Sequence, residues 1–320
     1  MRAQLVARMV AYASLSLATL AYAQEAAFPK RGNIEMTVLF PAGSSADVTA
    51  RLLAQGMARN LGANVVVVNR PGAGGAIGYK HVASQKPDGY NLVWNSNSIS
   101  TTYHSGQLTF DYRAFDPIAR VLIESPVLAV RGDARWKTLA ELINDAKSRP
   151  GKITVANSGV GSHTHITSVA LFKTAGADVL DVPYSAAQIV PSLLGGHVDA
   201  MVQLPGALAG HVQSGAVRIL AAVTQKRDAA LPDAPTAQEQ GVEIALDAWR
   251  GIAVPKGTPR TVIAALETAI RATCESTEFI QGSEKLYVRP AFLPAQEFGE
   301  LIAKEDVQLA RIMQSIGLKK

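Results

Sequence analysis

Two short stretches gather the side chains that could do chemistry. Residues 41–47, PAGSSAD, hold Ser44, Ser45 and Asp47, and residues 157–165, NSGVGSHTH, hold Ser158, Ser162, His163 and His165. Serine with histidine and a carboxylate invites a hydrolase, and the histidines with Asp199 invite a metal site. Neither reading finds its pattern. A nucleophilic serine needs a base within hydrogen-bond reach and a third group to orient that base, and the chain has no G-x-S-x-G elbow. Histidines two positions apart on a helix point to different faces, so His163 and His165 are not the i, i+4 pair that chelates one ion. Asp199, after a glycine turn, reads as structural as readily as functional. No catalytic residue, metal or cofactor is expected.

Both stretches make sense as turns between a strand and a helix. Residues 37–40 are apolar and read as a strand, 41–45 as a tight loop, and Val48, Leu52, Leu53 and Met57 recur near a 3.6-residue period. Ser44 or Ser45 suits the N-cap, and Asp47 falls in the first turn, where a carboxylate accepts from free backbone N–H groups. Gly43 lets the backbone turn and approach a ligand without a Cβ in the way. A helix start presents unpaired N–H groups and the positive end of a dipole, which suits an anion. The chain repeats the device at 154–172, TVANSGVGSHTHITSVALF.

The elements that must position these turns follow from the rest of the chain. Its 320 residues, 48% hydrophobic and 18% charged, suffice for one large domain or two lobes with real cores. The net charge of +5 comes from scattered Lys and Arg, which gives a bias towards anions and no nucleic-acid groove. The single cysteine, Cys274, excludes an intrachain disulfide and a cysteine metal cluster, and it reads as an inert small hydrophobe. Arg2 and Arg8, an apolar run over 9–20 and Ala21-Tyr22-Ala23 read as a signal peptide, 1–23, cleaved after Ala23. The run is short for a membrane span and no cysteine follows it, so the mature chain is expected to be exported and unanchored.

Strand patterns at 64–68, 91–94, 153–156, 178–182, 198–202 and 217–223 alternate with helical ones, which implies parallel sheets covered by helices on both faces. The valine-rich 64–68 reads as a buried parallel strand. The following NRPGAGGAIG has the spacing G-x-G-G-x-x-G, no clean dinucleotide fingerprint, and reads as a turn or a cleft-lining loop. Residues 95–103, NSNSISTTY, form a polar patch beyond a strand's carboxyl end, where open α/β sheets place ligands; a solvated loop is the alternative. Thr138 caps a helix to Lys147. Interruptions near Ser125-Pro126 and near Asp247–Trp249 divide the chain in three. They suggest one lobe from 24–125 and 248–320 and another from 126–247, with two crossings as a hinge. Helices are expected over 259–274, 277–286 and 294–316.

The motifs FPAGSSAD, NRPGAGGAIG, KPDGY, FDYRAFDPIARV, ANSGVGSHTHI, VPYSAA, LLGGHVDAM, LPDAPTAQEQG and AWRGIAVPKGTP run in this order along almost the whole mature chain. It resembles the Bug-type, TctC-like periplasmic solute-binding proteins of tripartite tricarboxylate transporters. The resemblance implies an α/β, two-lobed type II periplasmic binding fold that closes on a small organic carboxylate. It further implies a periplasmic receptor, not an enzyme, that delivers its ligand to membrane permease subunits. The family's first binding loop corresponds to 41–47, its second to 157–163, and a third contact region to 184–187. Ser44 stands where the first loop usually has a second glycine. Ser185 and Ala186 stand where a basic residue and glycine are usual, and Arg250 stands where an aromatic is frequent.

The ligand-binding set expected from the residues and the resemblance is therefore Ala42, Gly43, Ser44, Ser45, Asp47, Asn97, Ser158, Gly161, Ser162, His163, Tyr184, Ser185, Ala187, Gln203, Trp249 and Arg250. Asn95, Thr101 and Thr102 offer further hydrogen bonds. Arg250 could read a second carboxylate with its bidentate fork or pair elsewhere, which leans the expectation towards a diacid. A monomer is expected. An exported ligand sensor for a signalling kinase and an exported hydrolase remain alternatives.

Overall fold

The computed structural model describes residues 28–29 and 32–320, so the signal peptide read at 1–23 lies outside the described residues. The elements in chain order are β1 (Ile34–Val38), α1 (Ser45–Leu61), β2 (Val65–Asn69), α2 (Ala76–Ala83), β3 (Asn91–Ser96), α3 (Ser98–His104) and β4 (Phe115–Glu124). There follow β5 (Val127–Arg131), α4 (Leu139–Ser148), β6 (Thr154–Asn157), α5 (His163–Ala175), β7 (Leu180–Pro183), α6 (Ile189–Leu194), β8 (Ala200–Gln203), α7 (Ala209–Gln213) and β9 (Val217–Ala222). The chain closes with β10 (Ala248–Pro255), α8 (Arg260–Cys274), α9 (Thr277–Lys285), β11 (Arg289–Pro294) and α10 (Ala295–Ser315).

Among the described residues these strands form two sheets, in the orders β11-β4-β10-β3-β1-β2 and β7-β6-β8-β5-β9. The first sheet draws on both ends of the chain and the second on its middle, which gives two lobes. The β1, β2 and β3 strands pair in parallel, as do β6, β7 and β8. The sheets are nevertheless mixed. The chain leaves the first sheet at Glu124 and enters the second as β5, antiparallel to β8 and β9. It returns as β10, antiparallel to β3 and β4. A strand that enters a sheet from the inter-lobe side must run against strands that end there, so each crossing costs the sheet its uniform direction.

Alternate residues of each strand pack on opposite faces. In β3, Leu92 and Trp94 join one apolar cluster and Val93 joins another. The β2 strand is an edge with one neighbour, so its valines are half-buried and Val66 is 42% exposed, not the buried strand its composition suggests. Two segments depart further from expectation. The polar patch 95–103 is a strand end and a short helix, with Ser98, Ser100, Thr101 and Thr102 buried. The β11 edge strand was hidden by Pro290 and Pro294, which a strand tolerates only where its N–H groups face outward or at bulges.

The two crossings are supplemented by a third link. Phe298 and Ile302 of α10 pack in a first-lobe cluster, while Ile312 and Ile316 pack on the core of the second sheet. Lys173 Nζ of α5 donates to the Ser315 carbonyl at 2.6 Å, which fastens the far end of that helix.

Candidate functional site

The first binding turn is built around Ser44. Its Oγ accepts from Asp47 N at 3.3 Å and its carbonyl from Asp47 N and Val48 N, so it is the N-cap of α1. Asp47 faces away from the cleft. Its carboxylate accepts from Gly43 N at 3.0 Å, Asn69 Nδ2 at 2.9 Å and Arg51 Nε at 3.1 Å. Burial pushes its carboxyl up, but those donors outweigh burial and hold it below the usual carboxylate range. Gly43, at φ +78°, makes the turn that brings its N–H to Asp47. The first two N–H groups of α1, on Ser45 and Ala46, have no acceptor among the described residues.

The second turn repeats this on the other lobe. Ser162 Oγ accepts from His165 N at 3.2 Å and caps α5. The N–H groups of His163 and Thr164 have no acceptor among the described residues. Asn157 holds the loop behind them, its Oδ1 accepting from Gly159 N and its Nδ2 donating to Asp181. Gly161, at φ +80°, adopts a left-handed backbone that favours glycine, and it lies against the end of the Gln107 side chain. Its carbonyl accepts from Thr101 Oγ1 at 2.6 Å, and Gln107 Nε2 donates to the Val160 carbonyl at 2.9 Å. These bonds run between lobes, so the cleft is closed at this edge.

Both helix starts line one inner cavity. Ser44, Ser45 and Ala46 stand on one wall and Ser158, Ser162, His163 and Thr164 on the other, with Phe40, Asn97, Ala186, Gln203 and Arg250 between. Its water-accessible room is ≈ 20 Å³, and through Phe40, Ser158 and Ala186 it adjoins an outer cleft of ≈ 770 Å³. The outer cleft is bordered by the glycine-rich loop 71–75, by Tyr184 and Ser185, and by residues 317–320.

Three side chains set the polarity of the inner cavity. Arg250, buried, donates through Nε to Glu124 Oε2 at 2.9 Å, and Ser45 Oγ donates to Glu124 Oε1. Glu124 is fully buried. Arg250 lines the cavity, its guanidinium 5.9 Å from the centre of the Phe40 ring, and among the described residues its terminal nitrogens have no acceptor. Gln203 Oε1 accepts from Leu204 N at 2.8 Å, which leaves its Nε2 as a buried donor without a partner. His163 places Nε2 3.0 Å from the Leu246 carbonyl, and its Nδ1 is buried without a partner. Burial pushes the His163 imidazolium down to about 4, with the nearby Arg250 charge adding to the effect against the Leu246 bond.

The model of the family described as "Tripartite tricarboxylate transporter family receptor" matches residues 49–318. The chain belongs to that family. Among solved structures, the periplasmic binding protein BugD is 31% identical with a TM-score of 0.86, over 92% of this chain and 100% of that one. Rpa4515 of R. palustris, solved with adipate, is 25% identical with a TM-score of 0.85, over 91% and 98% of the two chains. MatC of Rhodopseudomonas palustris, solved with bound malate, is 25% identical with a TM-score of 0.81, over 89% and 99%. The mixed sheets above are thus the two-lobed type II fold of periplasmic binding proteins.

Against this receptor frame, the expected site residues divide in three. Ser44, Ser45, Asn97, Ser158, Ser162, His163, Gln203 and Arg250 line the inner cavity. Gly161, Tyr184 and Ser185 line the outer cleft. Ala42, Gly43, Asp47, Ala187 and Trp249 border neither. Ala187 is exposed beside Ala186, which lines both. Trp249 precedes Arg250 in a strand and so points to the opposite face. There it packs on Phe298 and donates from Nε1 to Glu305 at 2.6 Å. Asn97 is engaged on the same side, accepting from Trp249 N and donating to Glu305. Asp199 is structural, its Oδ2 accepting from Thr154 N and Oγ1.

Sequence reasoning missed Ala46 and Thr164, although the second position of each capped helix always carries a free N–H. It also missed Glu124, which no local pattern marks as the partner of Arg250. Among the described residues no cluster of His, Cys, Asp and Glu could hold a metal, and no helix is long and apolar enough to cross a membrane.

Proposed function

We propose that this receptor captures a small organic carboxylate between the starts of α1 and α5 and passes it to the permease of a tripartite tricarboxylate transporter. The observation that carries this is the convergence of four acceptor-less N–H groups, on Ser45, Ala46, His163 and Thr164, upon one cavity. Two helix dipoles point their positive ends at the same space, which neutralises a carboxylate without a fixed counter-charge. The R. palustris neighbours were solved with adipate and with malate, both small organic carboxylates.

Arg250 contributes directed donors and little net charge, because Glu124 balances it. That arrangement weakens the case for a second carboxylate at Arg250 and favours a neutral polar group there. Ser162 Oγ bonds His165 N and Thr164 Oγ1, not an imidazole nitrogen, which supports a receptor over a hydrolase. We place the lobes at 24–125 with 248–320 and at 126–247, hinged at Ser125-Pro126 and Asp247. The mature chain is a periplasmic monomer released after Ala23. Solution scattering with and without saturating acid tests the reading: binding draws the lobes together, whereas acids that stabilise the protein without compaction remove hinge closure from it.

A further inference from the structure

Two glycines lie where the backbone of one lobe meets the other lobe. Gly74, in the loop between β2 and α2, faces the second lobe: a Cβ there would stand 3.0 Å from the Val160 carbonyl oxygen and 3.2 Å from the Gly161 carbonyl carbon. Gly206, in the turn Pro205–Ala207 after β8, faces the first lobe: a Cβ there would stand 2.5 Å from Ser45 Oγ and 3.3 Å from Ser45 Cβ. Gly74 has φ +63°, which favours glycine whatever the space. Gly206 lies outside the left-handed region, and a helical turn accepts alanine better than glycine, so its residue type answers to room alone. The hydroxyl it meets is not free to move aside. Ser45 is buried, and its Oγ donates to Glu124, a fully buried carboxylate whose other oxygen takes Arg250 Nε. Turning that hydroxyl away strips a donor from a buried charge, which is costly.

We infer that Gly206 is the stop that sets how far the lobes close, and that its missing side chain lets the start of α1 come up to the start of α5. This rests on the closure reading above. Gly206 lines neither cavity, but both of its neighbours in the argument do: Ser45 carries one of the four acceptor-less N–H groups, and Leu204, two residues before Gly206, lines the same inner cavity. A methyl group at residue 206 meets Ser45 before the lobes reach their observed approach, and it holds the whole start of α1 away from the second lobe. The N–H groups of the two helix starts then no longer converge on one carboxylate, because a hydrogen bond weakens steeply once its length and angle depart from the optimum. Gly206 is thus a positioning residue, which acts on the ligand through the gap between the two helix starts.

The test is a double-mutant cycle on the mature chain: wild type, Gly206→Ala, Ser45→Ala and the double variant. Calorimetry uses whichever of succinate, malate and adipate the wild type binds most tightly. Inter-lobe distance is read by single-molecule energy transfer between dyes at Val66→Cys and Leu180→Cys, exposed positions on the outer edge strands of the two sheets. Gly206→Ala should bind the acid about tenfold more weakly, the effect of a methyl group forced into a packed contact. Its shortest inter-lobe distance should lengthen, while its ligand-free melting temperature stays the same or rises, as alanine for glycine does where it fits. In the Ser45→Ala background, where the obstructing oxygen is gone, the same substitution should cost less than about threefold. A merely structural role for Gly206 would lower the melting temperature and cost the same in both backgrounds, and that result overturns the inference. So does a Gly206→Ala protein with the affinity and the shortest distance of the wild type. If the wild type binds none of the three acids, the carboxylate reading falls by itself, and the shortest distance in the ligand-free proteins still decides for or against the stop. A wild type with one inter-lobe distance under every condition removes closure, and the stop with it.

Discussion

Ser44 and Ser162 cap the starts of α1 and α5 with the same backbone angles, φ −70° and ψ 159°, on facing walls of one cavity. Each spends its hydroxyl on the third N–H of its helix, on Asp47 and on His165. Among the described residues the first two N–H groups of each helix have no acceptor, and all four residues that carry them line the cavity. The hydroxyls organise the site and do not themselves have to touch the ligand.

Ser162→Ala and Ser44→Ala should therefore lower stability by about 1 kcal/mol each, the usual worth of a serine N-cap. Urea unfolding measures this. If the hydroxyls act only as caps, affinity for the acid falls by no more than a few fold. A tenfold loss of affinity at unchanged stability would move the hydroxyls from capping to ligand contact.

The pair of Arg250 and Glu124 is buried on both sides, with side-chain exposures of 4% and 0%. Removing one partner strands the other charge away from water. Arg250→Met should cost roughly 3–5 kcal/mol, while adding Glu124→Leu should recover most of it, because replacing a whole buried pair with apolar groups is often neutral. A double variant no more stable than the single would show that Glu124 is satisfied without Arg250.

His163 gives the stability a signed dependence on pH. Its ordinary value of 6.5 is pushed down to about 4 in the fold, so the unfolded chain takes up the proton first as pH falls. Stability is then complete above about pH 6.5 and is lost as pH drops towards 4, by roughly 3 kcal/mol for this group. Melting curves of wild type and His163→Leu should converge in stability across that window. Parallel curves would show that the ring is not shielded as its burial indicates.

At the hinge, the Ser125 hydroxyl lies 2.8 Å from Asp228 Oδ2 and 3.0 Å from Asp247 Oδ1. One hydroxyl proton serves one of these carboxylates. Burial pushes the Asp247 carboxyl up, against its bonds from Thr224 and Ser125. A raised acid contributes stability below its unfolded value of 3.8 and loses it as pH rises through the folded value. Asp247→Asn should thus stabilise the protein at pH 7 more than at pH 4. A variant less stable at neutral pH than the wild type would show that the ionised carboxylate is needed to hold the two crossings.

Much of this was legible in the sequence because it depends on local chemistry. Serine at the N-cap and glycine at the left-handed turn each act over a few residues, and they placed the helix starts. What stayed hidden depends on contacts distant in the chain. Trp249 and Arg250 both looked available, yet adjacent strand residues face opposite ways, and only packing on Phe298 decides which of the two enters the cleft. Asp47 reads from the sequence as a first-turn carboxylate that could also reach a ligand, and only its distant partners Asn69 and Arg51 show that its oxygens are taken. The 126-residue separation between Glu124 and Arg250 left no local trace of their pairing.

The central claim is that four backbone N–H groups hold a carboxylate, and calorimetry of one acid against its own primary amide tests it most directly. The amide keeps size and shape but loses the charge and one acceptor, and hydrogen bonds to a charged group are worth about 1.5–3 kcal/mol each. The acid should bind at least tenfold more tightly than its amide, with the difference retained in Arg250→Met. Equal affinities for acid and amide would mean that the two helix starts do not hold a carboxylate.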